Sequence, residues 1–408
     1  MKQKICPVCG SPHQNALLTL PEIPYFVNCL CDEERAAKQS GCGTQSLAQC
    51  CHCGFVFNRA FEAQNVIYGG GYHAERAASA YYVKHLQKIA EQINSVQSIA
   101  EAHVLEVACN TGDFLQVLSE YQPQSCVGVD PSGDESCEAY RIRRMLFDKA
   151  YLEQYPDPVD TIVSRHMIEH IASPLEMLRL FGEALQKDGI LYLETPRLNW
   201  ILENHVFYDF TYEHCSYYTD DFMTRLLRAA GFAVLQMNFS YDGQYFSIVA
   251  RKQFEPGEIQ MAESGVLRQI EADFLETEAC LHRAQERLSV ESTLAGTLSK
   301  GTLPLLKCTL QTGFYLWGAS GKGVMCCNLL SHSPILGCID NNPFKQKKFI
   351  PGTGHPVLAP TSISFDTVKC ILVENDVYLN EIKQQVGEID RRIFVGSLNE
   401  ILGLGPVR

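Results

Sequence analysis

The stretch Val104–Leu118, VLEVACNTGDFLQVL, decides how this chain folds. It opens as a short apolar run, meets an acid at Glu106, passes through a loop of small residues, and ends in an amphipathic helical pattern. A strand that turns tightly into a helix points the first N–H groups of that helix at whatever occupies the loop. The G-x-G-x-x-G spacing of a dinucleotide loop is absent, and Gly112 is the one glycine left. Further along, CVGVDPS closes a second apolar run on Asp130, from where a carboxylate can accept both hydroxyls of a ribose. A later run, Val159 to Ser164 in VDTIVSRHMIEHIASP, ends at His166, with Glu169 and His170 just beyond. Strand ends of this kind line the crevice of an open α/β sheet.

An acid beside the loop and another after the next strand suit a ligand with a ribose and a positively charged head but no pyrophosphate. S-adenosylmethionine has that chemistry. Its binding candidates are Glu106, Cys109, Asn110, Gly112, Asp130 and His166. Taken in order, these segments resemble the class I S-adenosylmethionine-dependent methyltransferases. The resemblance implies an α/β fold with a Rossmann-like core.

Outward from this core the texture changes. From about Tyr72 to Lys252, helical patterns alternate with the runs HVLEVA, SCVGVD, DTIVSR and GILYLE, as in βαβ units around a parallel sheet. IQMAESGVLRQIEADFLETEACLHRAQERL carries apolar residues at helical spacing and predicts one or two long connecting helices. After GTLP, the runs in GFYLWGASGKG, ILGCIDNNP, VKCILVEN and RRIFVGSL predict a second α/β unit. The expected division is a zinc-binding module over 1–71, the methyltransferase core over 72–254, a helical linker over 255–302, and a Rossmann-like domain over 303–408. The 408 residues are too many for one hydrophobic core. A net charge of −13 disfavours a nucleic-acid partner, which needs clustered Lys and Arg. No apolar run reaches about eighteen residues and MKQKICPVCG lacks an apolar leader, so no membrane partner is expected and a cytoplasmic location is the default.

Of 18 cysteines, eight fall in the first 53 residues. Without a secretion signal they read as reduced thiols or metal ligands. CPVCG and CCHCG place Cys6 with Cys9, and Cys50 with Cys53, in two C-x2-C turns, each followed by a glycine. Two such turns supply the four thiolates of a closed, structural zinc site. Cys29, Cys31 and Cys42 between the turns, and Cys51 and His52 inside the second, are alternative ligands.

The nine residues FTYEHCSYY, 210–218, crowd a glutamate, a histidine and four aromatic rings together. In this order of parts the chain resembles the sugar C-methyltransferases, which act on nucleotide-linked keto-deoxysugars. That family carries Tyr-His-Glu-His-x-Ser-Tyr after the fifth core strand. Here TYEHCSY matches at Glu213, His214, Ser216 and Tyr217, with Thr211 for the first Tyr and Tyr212 for the first His. YLWGASGKG and CIDNNPFKQKKFIPGTGHPV extend the resemblance over nearly the whole chain. It implies methylation of carbon through an enolate, which needs a base and a group to stabilise the oxyanion. His214 is then the expected base, Glu213 or another carboxylate orients it, and His170 and Tyr212 donate to the oxyanion. Adjacent residues on a strand face opposite ways, so Glu213 and His214 pair only in a loop or turn. Tyr217, Lys322, Asn342 and Lys345 are the expected contacts to the nucleotide-linked substrate. Alternatives are O- or N-methylation of another small metabolite, NAD binding at the second glycine loop with Asp340 on a ribose, and a zinc module that grips nucleic acid.

Overall fold

The computed structural model describes residues 5–66, 79–133, 138–288 and 313–404. The boundaries expected at 71/72 and 302/303 fall outside these residues, as does the end of the expected linker. Three sheets organise the chain. The first contains β1 (Gln14–Pro24), β2 (Cys42–Cys50), β3 (Val56–Asn58) and a two-residue strand β9 (Ser216–Tyr217), in the order β1-β2-β3-β9. β9 belongs to FTYEHCSYY. It pairs antiparallel with β3, Tyr217 opposite Val56 and Ser216 opposite Phe57. The N-terminal module and FTYEHCSYY therefore share one sheet.

The second sheet has seven strands: β4 (His103–Val107), β5 (Ser125–Val129), β6 (Arg141–Arg143), β7 (Val159–Arg165), β8 (Leu185–Pro196), β10 (Phe232–Ser240) and β11 (Tyr245–Lys252). They lie in the order β10-β11-β8-β7-β4-β5-β6. β4 to β8 pair in parallel, while β11 runs antiparallel to both β8 and β10. Helices cover both faces of such a sheet, which is why its central strands read as continuous apolar runs. Strand order reverses between β4 and β7, and a crevice opens at their carboxyl ends.

The third sheet is wholly parallel, in the order β14-β13-β12-β15-β16, from β12 (Phe314–Trp317), β13 (Ile335–Ile339), β14 (Val357–Leu358), β15 (Cys370–Val373) and β16 (Phe394–Ser397). Its own reversal falls between β12 and β15. Apolar burial joins the first and third sheets. Leu18 and Leu47 of the first sheet, Phe207 and Phe210, Phe274 of the helix Ser264–Leu288, and Leu316 and Ile401 belong to one continuous core. That helix buries Ile270, Phe274, Leu281, Ala284 and Leu288, so it is a wall of the shared core as well as a connector. No described helix is long and apolar enough to cross a membrane.

Candidate active site

The two reversal points face each other across one cavity of about 530 Å³, lined from the core, the third sheet, and Val27 and Asn28 of the N-terminal module. At the core end the loop after β4 is tightly wound. Ala108, Asn110 and Gly112 all have positive φ, 62°, 49° and 90°. A side chain at Gly112 would meet the ring of Tyr140 at 2.7 Å, so glycine is required there. Asp130 braces the loop, accepting from the Asn110 N–H at 2.9 Å and the Ser132 N–H at 2.8 Å. Cys109, Asn110 and Asp130 line the cavity. Gly112 does not, and acts through the turn.

Glu106 lines the cavity at 2% exposure, and its Oε2 has no hydrogen-bond partner among the described residues. Burial pushes its carboxyl up to about 8, against the pull of Arg165 at 4.0 Å. A cationic ligand head would supply the missing counter-charge, so this end fits S-adenosylmethionine. Behind it lies a buried network that sequence reading missed. Fully buried Glu194 of β8 meets His85 Nε2 at 2.6 Å, Arg165 at 3.2 Å and His166 Nε2 at 3.1 Å. Like Glu106, Glu194 is an acid near the end of an apolar run, and that was its one sequence signal.

Beyond β7 three imidazoles gather around one carboxylate. His166 (φ 50°) sets Nδ1 3.5 Å from Glu169 Oε1, and the donor atoms of Glu169, His170 and His214 lie within 4.8 Å of one another. The His170 and His214 rings meet edge to face at 4.8 Å. Burial and the neighbouring His170 hold His214 down to about 3. Burial alone would raise Glu169, but the His166 imidazole 3.5 Å away and the nearby His170 and His214 hold it down to about 2. Glu169 was noticed in the sequence without a role; its i, i+3 spacing from His166 was the available clue.

Three sequence expectations need correction. Glu213 does not orient His214. It is fully buried and accepts from the Val27 N–H at 2.8 Å, with its other oxygen 3.6 Å from His170 Nδ1. In this turn the glutamate faces the N-terminal module while its neighbour faces the cavity. Tyr212 lies outside the cavity, packed on Tyr25 and Phe61, with its hydroxyl accepting from the Glu62 N–H at 3.1 Å. Tyr217 is likewise in the β3–β9 seam, accepting from Gln45 Nε2 at 2.8 Å and donating to the Thr211 carbonyl at 3.3 Å. Large aromatic rings on a segment clamped between two sheets fill the seam instead of the crevice.

At the far end, Lys322, Asn342 and Lys345 line the cavity as expected. Lys322 bridges the units, 3.0 Å from Asp209 and 3.2 Å from Gln244 Oε1. Lys345 is buried and donates to Ser320 Oγ beneath the glycine loop. Asp340 accepts from the Ala319 N–H and the Asn342 N–H, both at 2.8 Å, repeating the bracing pattern of Asp130.

Away from the cavity, Cys6, Cys9, Cys50 and Cys53 converge. Cys6 and Cys53 sulfurs are 3.7 Å apart, and those of Cys9 and Cys50 3.5 Å. Tetrahedral thiolates around a zinc ion stand about 3.8 Å apart, given Zn–S bonds near 2.3 Å. Cys29, Cys31, Cys42, Cys51 and His52 are not part of this set.

Comparison with known proteins agrees with this geometry. A methyltransferase-domain family matches residues 74–237. Along most of its length the chain is similar to the C-methyltransferase NovU of Streptomyces niveus, 22% identical over 370 residues, which cover 87% of this chain and 85% of that protein. A tRNA U34 carboxymethyltransferase of Helicobacter pylori (strain P12) is 30% identical over 115 residues, covering 25% of this chain and 44% of that protein. Among solved structures, an S-adenosylmethionine-dependent methyltransferase from Mesorhizobium loti aligns over 43% of this chain and 99% of its own, at 13% identity and a TM-score of 0.34. The seven-stranded core and its braced loop thus form a methyltransferase domain, matched over residues 74–237.

Proposed function

We propose that the chain methylates the carbon next to a ketone in a nucleotide-linked keto-deoxysugar. The observation that supports this most is the continuity of the cavity. It runs from Glu106 and Asp130, past His170 and His214, to Gly318, Lys322, Asn342 and Lys345. A small metabolite needs the histidine end alone. A two-part acceptor with an anionic half also uses Lys345 and the N–H groups that open the helix Gly321–Leu329. The similarity to a C-methyltransferase, spread over all three sheets, favours carbon as the acceptor atom.

Bound at the core end, S-adenosylmethionine supplies an electrophilic methyl group on a sulfonium. Glu106 is placed for its positive head and Asp130 for its ribose. His214 takes the proton from the carbon beside the ketone, and the electron pair moves onto the ketone oxygen. His170 donates through Nδ1 to the Glu213 carbonyl at 3.1 Å, so its Nε2 can donate to the enolate oxygen in the imidazolium form. The Glu213 carboxylate at 3.6 Å is the counter-charge for that form. The four cysteines of the N-terminal module would hold a zinc ion that ties the two turns together, a structural role.

The test is transfer of labelled methyl from S-adenosylmethionine across nucleotide-linked keto-sugars, with phenols and amines as controls. The expected product carries the label in a carbon–carbon bond, preceded by exchange of the ketone-adjacent proton in deuterated water. Label on oxygen or nitrogen instead would overturn the reading. Elemental analysis is expected to find one zinc per chain; a folded, metal-free protein would remove the metal assignment.

A further inference from the structure

The expected base, His214, is poorly placed to act alone. Its ring is enclosed beside a second imidazole, and its sequence neighbour Glu213 is committed to Val27 and His170. An imidazole in such a setting resists taking a charge, and abstraction of a proton from carbon would require it to do so. Among the described residues, one carboxylate is suited to offset that cost. Glu169 is 2% exposed and lines the cavity. Its Oε2 accepts from Thr195 Oγ1 at 2.9 Å, while its Oε1 makes no hydrogen bond within the described residues.

We infer that Glu169 is the positioning residue that makes His214 a competent base, its half-satisfied carboxylate balancing the imidazolium formed during proton abstraction. This rests on the proposed enolate chemistry. In that step the C–H bond breaks, its electron pair forms the enolate, and the proton passes to a ring nitrogen of His214. The new positive charge lies beside Glu169. The enolate carbon then bonds to the methyl group as the S–CH3 bond breaks, and its electron pair remains on sulfur. The His214 proton leaves to solvent after the product departs. The groups facing this pair are His166 from the end of β7, His170 from the same turn as Glu169, Tyr217 edge-on to His214, and Glu194 through His166. Burial works against the charged form, but the surrounding histidines outweigh it and hold the Glu169 carboxyl down to about 2, so it stays ionised across the working range. It is therefore a fixed counter-charge, not a second base.

The test compares Glu169→Gln and Glu169→Asp with the parent in the full-length protein. Glu169→Gln is expected to slow both deuterium exchange at the acceptor and methyl transfer by about 100-fold, the scale of a general-base contribution. S-adenosylmethionine affinity by calorimetry stays unchanged, and Glu169→Asp recovers part of the rate. The pH at which the exchange rate rises is expected to differ between the parent and the Gln variant. Nitrogen-15 spectra of histidine-labelled protein, with His214 assigned through His214→Asn, give a readout that needs no acceptor. The His214 signals are expected to move in both Glu169 variants. Unaltered exchange in Glu169→Gln overturns the inference. So do His214 signals indifferent to both substitutions, and so does a parent rate that rises with added Mg2+ or Mn2+, since the cluster would then hold a cation. If the parent methylates no keto-sugar, the acceptor assignment fails, and the histidine spectra still decide the role of Glu169.

Discussion

Glu106, the proposed contact to a cationic ligand head, is a buried acid that costs stability. In the folded protein burial lets it keep its proton up to about pH 8, whereas the unfolded chain releases it in the ordinary carboxylate range. Between those two values the folded state binds more protons, so stability falls as pH rises through that window. Glu106→Gln abolishes the titration. Its melting temperature is therefore expected to exceed the parent's at pH 8.5 and to approach it near pH 4.5. The same variant should bind S-adenosylmethionine about 10- to 100-fold more weakly, the worth of a hydrogen bond to a charged group. Melting curves across pH and calorimetry check the two halves; a variant with parental affinity would remove Glu106 as the anchor. Glu106, Asp130, His166 and His214 were legible in the sequence because each stands at a strand end or turn, where a polar side chain interrupts an apolar run. The partner of Glu213 was not legible, because side-chain direction within a tight turn follows from what packs on each side. Glu194 needed two aligned strands before its position next to His166 and Arg165 had meaning.

At the level of elements, the segment from Phe210 to Tyr218 is shaped by a sheet to which it contributes only two residues. Gln45 of β2, fully buried, donates to the Tyr217 hydroxyl and to the His214 carbonyl at 3.3 Å, and accepts from Asn58 at 2.6 Å. The backbone that carries the expected base is thus held from the N-terminal module. Gln45→Ala leaves buried polar groups without partners, which costs about 1–3 kcal/mol. The expected outcome is a lower melting temperature and a reduced kcat, with unchanged affinity for S-adenosylmethionine, whose proposed contacts are Glu106 and Asp130. Loss of cofactor binding without loss of turnover would contradict this arrangement. The longer strands of the core and the third sheet were legible from their apolar runs. β9 was not, because two residues show no periodicity and their pairing with β3 joins segments far apart in the sequence. Tyr212 and Tyr217 were misread for the same reason: without β9 they look like free phenols at a crevice mouth.

For the molecule as a whole, the cavity exists because the two α/β units meet with their crevices facing, and Lys322 is a principal contact across that junction. It rises from the third sheet's glycine loop to Asp209 and Gln244, its ammonium 4.9 Å from the Trp200 ring centre. Gln244 in turn donates to Asn375 at 2.9 Å, and the Tyr378 and Tyr241 hydroxyls meet at 3.1 Å. The sequence disclosed each unit but not their facing, since that depends on a core that the first and third sheets share with residues 198–210. Lys322 therefore has two readings: a strut between units or a contact to an anionic acceptor. Lys322→Met removes the charge while retaining most of the stem, and Asp209→Asn releases the ammonium from its carboxylate. If Lys322 serves the acceptor, Lys322→Met raises acceptor KM about tenfold or more, the scale of one charge-assisted hydrogen bond. Asp209→Asn then lowers KM or leaves it unchanged, because the freed cation turns to the acceptor. If Lys322 is a strut alone, both variants lower the melting temperature to a similar degree and neither changes KM selectively. A thermal melt and a steady-state acceptor titration on the two variants and their double mutant separate these outcomes. A cationic junction beside a cavity with Glu106, Glu169 and Asp340 in its wall predicts the first result, because an anionic acceptor needs positive charge where it enters.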